Sequence, residues 1–270
     1  MDFICPKCRA ELVLCAGACV CASGHSYDVA RAGYVNLLPS SGAGVHGDNK
    51  LMLSARRDFL NTGHYLPLRD AVCDLALRYS ESVPRVIDIG CGEGYYTDKL
   101  ERALFERDGE SRVCAFDISK DAVRYAGARN KRVSYAVASA YCVPALDGTF
   151  SLAVNMFSPL AREETLRVLS RGGIFIVAYP GEEHLFELKS KIYDTPYKNA
   201  PEDTALDGFR LLECRRLTYN MHLSSGDEIR ALFMMTPYAY RTKKENSERV
   251  LSLDGLDTTA DFYICVYEKI

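Results

Sequence analysis

Two short stretches hold most of the residues with chemistry to offer. Residues 86–97 read Val-Ile-Asp-Ile-Gly-Cys-Gly-Glu-Gly-Tyr-Tyr-Thr. A brief apolar run (Val86, Ile87, Ile89) ends in Gly90, Gly92 and Gly94, and a helical pattern begins directly after. Glycine lacks a Cβ, so the backbone can turn sharply and approach a ligand closely. A strand ending in such a turn and feeding a helix is the geometry that cradles a nucleotide in an open α/β sheet. The spacing is not the dinucleotide fingerprint, which needs G-x-G-x-x-G. Further on, Val113-Cys114-Ala115-Phe116-Asp117 reads as a second strand ending in a carboxylate. Two carboxylate oxygens suit the two ribose hydroxyls of an adenosyl group. Locally, Asp117 would serve equally as a helix cap before Ser119–Val123. Its pairing with the glycine loop favours the ligand reading.

The second stretch is Cys5-Pro6-Lys7-Cys8, followed by Cys21-Ala22-Ser23-Gly24-His25. Two residues between the first pair let both thiolates grip one ion from a single tight turn. Cys21 and His25 supply the opposite half of a tetrahedron. Three thiolates and an imidazole fit Zn²⁺, and four protein ligands make a closed, structural site. A module of about thirty residues cannot hold itself together by apolar burial alone, so metal would fold it. Cys19 is an alternative ligand; Cys21 is preferred for its spacing to His25 across the Ala22–Gly24 turn.

The elements that must position these groups follow from periodicity. Apolar residues at helical spacing mark 50–61 (Leu51, Leu53, Phe59, Leu60) and 65–80 (Leu68, Val72, Leu75, Leu77). Strands are predicted near 85–90, 112–117, 132–137, 150–156, 173–179, 209–219 and 259–268. Helices are predicted at 96–104, 119–129, 161–169, 183–194 and 226–234. This alternation reads as an α/β protein with a doubly wound, Rossmann-like sheet and helices on both faces. The last two strands are expected to form an antiparallel closing hairpin. The glycine-rich stretch from Ser40 to Asp48 reads as a loop. The organisation expected is a zinc module over 1–36, a loop and helical connector over 37–80, and the α/β domain over 81–270.

Bulk properties set bounds. A chain of 270 residues with 48% hydrophobic content is ample for a large core. No apolar run approaches ~18 residues, so no membrane span is expected. Cys5 and Cys8 stand where a signal peptide would need a basic and then an apolar segment. Eleven cysteines, odd in number and scattered, fit reduced thiols and one metal site in a cytoplasmic protein. A net charge of −3 argues against a protein coated in positive charge but leaves local basic patches open for RNA.

Gly-x-Gly-x-Gly preceded by Asp-Ile resembles the first motif of S-adenosylmethionine-dependent methyltransferases. A wider set of segments resembles one family, the large-subunit (23S) ribosomal RNA guanine-N1 methyltransferases. It includes Cys5-Pro-x-Cys8, Gly24-His25-Ser26-Tyr27-Asp28, Gly33-Tyr34-Val35-Asn36-Leu37-Leu38 and Gly47-Asp48. It continues with Ala55-Arg56-Arg57-x-Phe59-Leu60, Gly63-His64-Tyr65-x-Pro67-Leu68 and Asp88–Thr97. It ends with Gly181-x-x-His184-Leu185-x-Glu187-Leu188-Lys189 and Met235-Thr236-Pro237-Tyr238. The resemblance implies a zinc head that helps recognise RNA and a body that binds S-adenosylmethionine. It implies methyl transfer to N1 of one guanine in a ribosomal RNA hairpin, by a homodimer whose heads shape the RNA cleft. Carried over by position, donor contacts fall on Tyr65, Glu93, Gly94 and His184, beside the loop residues Asp88, Gly90, Gly92 and Asp117. The matching zinc ligands are Cys5, Cys8, Cys21 and His25. Two departures stand out. Ser139 occupies a place where many methyltransferases carry an Asp for the adenine amino group. The segment Asn155-Met156-Phe157-Ser158-Pro159 follows the family pattern only loosely.

Guanine N1 lies on the Watson–Crick edge, so the target base must be unpaired or flipped out and stacked on an aromatic side chain. Tyr34, Phe157 and Tyr238 are candidates for the stack, and Asn155 for orienting the guanine edge. Arg56-Arg57, Lys189/Lys191 and Arg241–Lys244 are candidate phosphate contacts. The competing expectations are a small-molecule methyltransferase with the zinc head as lid, and a catalytically silent RNA-binding protein. Loss of Cys5 or Cys8 is expected to unfold the head and abolish RNA modification while the body still binds the donor.

Overall fold

The computed structural model describes residues 2–38, 49–201 and 203–270. The glycine-rich stretch from 40 to 48, including the Gly47-Asp48 motif, lies outside them. The chain opens with a ribbon of three short antiparallel strands, β1 (Leu12–Cys15), β2 (Ala18–Cys21) and β3 (Ser26–Asp28). After β4 (Tyr34–Asn36) come two helices, α1 (Lys50–Thr62) and α2 (Leu66–Tyr79). Asn49 starts α1 by accepting the Met52 N–H at 2.9 Å, an ordinary N-cap.

The strand–helix alternation expected from periodicity then runs as β5 (Arg85–Ile89), α3 (Tyr95–Asp108), β6 (Arg112–Asp117), α4 (Lys120–Arg129) and β7 (Ser134–Val137). It continues with β8 (Phe150–Met156), α5 (Arg162–Val168), β9 (Leu169–Pro180), α6 (Phe186–Ile192) and β10 (Phe209–Leu223). The chain closes with α7 (Gly226–Met235), α8 (Lys244–Leu251) and β11 (Leu256–Lys269). Helix α8 has no counterpart in the periodicity, because Val250 is its one buried residue.

Eight strands form one sheet in the order β10-β11-β9-β8-β5-β6-β7-β4. β4 through β9 pair in parallel, and β11 is antiparallel to both β9 and β10, the closing hairpin expected. The strand order reverses between β5 and β8. In an open α/β sheet the crevice beyond the carboxyl ends of two such strands is where ligands bind.

Successive residues along each strand point to opposite faces. Val86, Ala115, Tyr135, Val154 and Ile176 enter one apolar cluster together with the buried residues of α1–α4 and α6–α8. Ile87, Ile89, Phe116, Ala136 and Val177 enter the other. Among the described residues, α5 is the one helix with buried residues in that second cluster. The ribbon covers much of the rest: Phe3, Cys5, Leu12, Cys19 and Cys21 belong to the same cluster. Ile4 N–H donates to the Pro144 carbonyl at 2.8 Å, and Arg9 pairs with Asp147 at 3.3 Å. The chain from 138 to 149 carries no helix, and the ribbon packs against it.

The helices-on-both-faces expectation is therefore met in a lopsided way, with a metal-binding ribbon standing in for a helical layer. β4, within the segment assigned to the zinc module, pairs with β7 at the edge of the main sheet. One cysteine pair departs from the reduced-thiol expectation. Cys214 and Cys265 face each other directly across β10 and β11 and are joined as a disulfide, because the register brings them together. Among the described residues, no helix is long and apolar enough to cross a membrane.

Candidate donor cleft and metal centre

A cleft of about 810 Å³ opens at the carboxyl ends of β5, β6 and β8. Of the residues expected to hold a donor, Tyr65, Asp88, Gly90, Gly92, Glu93, Asp117 and His184 all line it. Gly94 does not. It sits in left-handed backbone at the start of α3, where a Cβ would come within 3.0 Å of Ala126. Its role is to let α3 and α4 approach.

The glycine loop is held in shape from the tip of β6. Asp117 accepts the Gly92 N–H at 2.9 Å and the Ser119 N–H at 2.8 Å. Ser119, not Asp117, caps α4, by accepting from the Ala122 N–H. Asp88 is buried and takes the Thr97 hydroxyl on Oδ2 at 2.5 Å. Among the described residues its Oδ1 has no partner, nor does Oε1 of the buried Glu93, whose Oε2 accepts from Arg129 at 2.5 Å. Burial pushes the Asp88 carboxyl up to about 7, with the Thr97 bond opposing and Asp117 adding to the rise. Glu93 is also raised by burial, against the pull of Arg129. Buried acceptors without a partner normally mark a site for a ligand or water. These two, facing the cleft beside a glycine cradle, fit a cationic nucleoside such as S-adenosylmethionine, whose α-ammonium and sulfonium call for carboxylates. Ser139 also lines the cleft, with its hydroxyl accepting from the Tyr141 N–H at 3.2 Å.

On the far wall, His184 is locked as one neutral tautomer. Its Nδ1 accepts the Asp261 N–H at 3.3 Å, so the proton lies on Nε2, 3.3 Å from the Tyr65 hydroxyl. Burial drives its pKa down to about 3, and nearby Lys189 adds to the drop. His184 is thus a hydrogen-bond donor to Tyr65 and no proton acceptor at neutral pH. Asp261 organises this corner, and sequence reasoning missed it. Its carboxylate takes a bidentate contact from Arg216, the Thr218 hydroxyl and the Glu183 N–H. A Cβ on Gly181 would lie 2.3 Å from Asp261 Oδ2, so the glycine of that motif is what admits the carboxylate. The available signal was an acidic residue set directly between Ala260 and the apolar run that starts at Phe262, which must find partners when buried.

Three candidates fall elsewhere. Asn155 is buried and absent from the cleft wall. Its Oδ1 accepts the Ser158 N–H at 3.2 Å and its Nδ2 donates to the Pro159 carbonyl at 3.4 Å. The amide shapes the turn after β8 and is not offered to a substrate. Tyr34 is buried in the main core. Lys189 is fully buried, donating to Asn199 Oδ1 at 2.5 Å and the Tyr197 carbonyl at 3.4 Å, so it cannot meet phosphate. Phe157, Tyr238 and Arg56 do line the cleft.

In the ribbon, the side chains of Cys5, Cys8, Cys21 and His25 converge, with one ligand atom from each all lying within 4.8 Å of one another. Cys5 Sγ to His25 Nδ1 is 3.5 Å, Cys8 Sγ to Cys21 Sγ 3.6 Å, and Cys21 Sγ to His25 Nδ1 3.4 Å. These are close to the edges of a tetrahedron with metal bonds of about 2.0–2.3 Å, as Zn²⁺ requires. Backbone bonds build both knuckles: Arg9 N–H to the Cys5 carbonyl, and Gly24 N–H to the Cys21 carbonyl. The Tyr27 hydroxyl lies 3.1 Å from Cys5 Sγ, an outer contact that orients a ligand. Cys19 packs in the apolar cluster, outside the ligand set.

Comparison with known proteins agrees with both halves. Residues 3–42 match the family described as "RlmA, N-terminal", and residues 86–173 match "Methyltransferase domain". The chain is 40% identical over 190 residues to a Streptomyces fradiae protein named 23S rRNA (guanine(748)-N(1))-methyltransferase, covering 68% of this chain and 65% of that protein. It is 28% identical to YxjB of Bacillus subtilis (strain 168), provisionally named a 23S rRNA (guanine-N(1)-)-methyltransferase, over 99% of this chain and 97% of that one. A provisionally named methyltransferase structure from Bacillus halodurans C-125 shares the fold, with a TM-score of 0.50 at 15% identity, covering 74% of this chain and 98% of its own. A ribbon of the RlmA N-terminal type and a methyltransferase sheet in one chain make it similar to proteins named as 23S rRNA guanine-N1 methyltransferases, and the chain spans about two thirds of the length of the Streptomyces fradiae relative, 65%.

Proposed function

We propose that this protein transfers a methyl group from S-adenosylmethionine to N1 of a guanine in a 23S rRNA hairpin. The observation that carries the reading is the cleft at the switch point. It sets an intact donor loop against an open aromatic-rimmed wall, in a chain 40% identical over 190 residues to an enzyme named for this reaction. The donor, when bound, supplies an electrophilic methyl on a sulfonium. Asp117 and the Gly90–Gly94 loop would hold its adenosyl part, and Asp88 and Glu93 its cationic end. Tyr65 and His184 would complete the enclosure as neutral hydrogen-bonding groups.

Methyl transfer is an in-line displacement, so placement about 3 Å from the attacking nitrogen supplies much of the rate. Guanine N1 must shed its proton, and an acceptor near neutral pKa serves best. Neither His184, neutral with Nδ1 engaged, nor the Asn155 amide provides one.

The ribbon is packed into a cluster with the sheet, which disfavours a lid over a small substrate. Unpartnered acid groups in the cleft disfavour a silent scaffold. A homodimer, with both ribbons facing one RNA, is the assembly this function suggests, and a ribosomal RNA substrate places the reaction in the cytoplasm. The test is transfer of labelled methyl to unmodified 23S rRNA, with the product identified by mass spectrometry. 1-Methylguanosine at one position is expected. Donor binding without transfer to RNA would overturn the reading, and light scattering checks the dimer.

A further inference from the structure

The turn after β8 carries a feature that donor binding does not explain. Phe157 adopts φ +60°, backbone that a bulky L-residue rarely occupies, and the residue is 44% exposed and lines the cleft wall. Strained backbone of this kind persists only where its surroundings impose it, and it concentrates at functional sites. Here the surroundings are the donor loop itself. The Ser158 hydroxyl donates to the Ile89 carbonyl at 2.7 Å, while Asn155 holds the Ser158 N–H. Ser158 also fills the space beside Gly90, where an added Cβ would lie 2.3 Å from Ser158 Cβ. The turn is thereby fastened to the loop that would cradle the donor. Behind the ring, Phe262 backs it at 5.7 Å between centroids and an angle of 50°.

We infer that Phe157 is the stacking platform for the acceptor base, holding the flipped guanine in register with the donor. An exposed aromatic ring, backed on one side and tethered to the donor loop, offers the cleft a flat apolar surface at a fixed position. Flipped bases are held by such stacking. Of the three aromatics that sequence proposed for this role, Tyr34 is buried in the core, and Tyr238, which also lines the cleft, follows α7 in the chain and makes a T-shaped contact with Tyr193. Phe157 is the one joined to the donor loop through its own turn.

This inference rests on guanine in RNA as the acceptor, so the test separates the two. Full-length wild type, Phe157→Leu and Phe157→Trp are compared for methyl transfer to the rRNA hairpin and, by calorimetry, for donor affinity. Phe157→Leu keeps bulk and apolarity but loses the ring. It should lower single-turnover transfer roughly ten- to hundredfold, the change that one base–aromatic stack corresponds to. Phe157→Trp should restore it, and donor affinity should stay the same in all three. A hairpin with 2-aminopurine at the methylated position should be quenched by wild type and brighter with Phe157→Leu. Unchanged transfer in Phe157→Leu, or a matching loss of donor affinity, would overturn the platform. Absence of transfer by wild type would instead remove the RNA reading, and the platform with it.

Discussion

The ribbon and the donor-binding sheet are held together by opposite means. The ribbon has three strands of three or four residues, and its order centres on four ligand atoms around one point. The sheet has eight strands and an apolar cluster on each face. Metal coordination supplies what so small a module cannot bury. Yet the two regions are not independent, because Phe3, Leu12 and Cys21 share a cluster with Ile87, Ile89 and Phe116. Ile89 leads directly into the glycine loop. A local metal site thus helps cover the face beneath the donor-binding turn.

The largest effect expected is from the metal. Cys21→Ser, or chelation, should remove ribbon folding free energy on the order of 10 kcal/mol. The shared cluster predicts more than the ribbon's loss: strands β5 and β6 should exchange amide protons faster, and donor affinity should fall. Unchanged exchange at Ile87–Ile89 would show that the regions are uncoupled, and would restore the simpler expectation that the body survives alone.

Within the sheet, two glycines of one loop should behave differently. Gly90→Ala places a Cβ 2.3 Å from Ser158 at φ +78°, and should cost about 3 kcal/mol or more and abolish donor binding. Gly92→Ala meets nothing within 4 Å and carries only left-handed strain at φ +55°, about 1 kcal/mol. Equal losses in denaturant titrations would mean that conformation, not the contact with Ser158, governs the loop.

His184 gives a smaller, pH-dependent effect. Its folded pKa of about 3 lies below the ordinary 6.5, so between those values the unfolded chain binds more protons. Its contribution is complete above pH 6.5 and declines as pH falls toward 3. His184→Gln should flatten that part of the stability curve; a parallel shift alone would mean that His184 is exposed. Asp88 acts with the opposite sign. Its folded value of about 7, against the ordinary 3.8, favours the folded state increasingly as pH falls from 7 to 3.8. A cation beside Asp88 stabilises the carboxylate, so donor binding near pH 7 should release protons. Calorimetry in buffers of different ionisation enthalpy measures this release, and Asp88→Asn should remove it.

Much of the fold was legible because local pattern and tertiary role coincide. Strands β5 and β6 are apolar runs that end in turn or acidic residues, and α1–α4 carry an apolar face. Where burial is slight, pattern fails: Lys244–Leu251 is a helix with one buried residue, so no periodicity announces it. Lys189 and Tyr34 misled for a related reason. Residue type suggested exposure or stacking, while packing withdrew both from the surface.

By itself, the sequence determined which three cysteines and one histidine could converge on one point and where the glycine turn after β5 falls. Cysteine spacing limits which thiolates can reach one ion, and alternating glycines dictate a backbone turn whatever surrounds them. Only the tertiary structure decided what depends on segments far apart in the chain. It laid the ribbon on a sheet face where a helical layer was expected. It set Asp261 behind His184, and turned Asn155 from a substrate contact into a brace for the Phe157 turn. Such roles arise from contacts across tens to hundreds of residues, and local sequence encodes the side chain but not the neighbour that gives it a task.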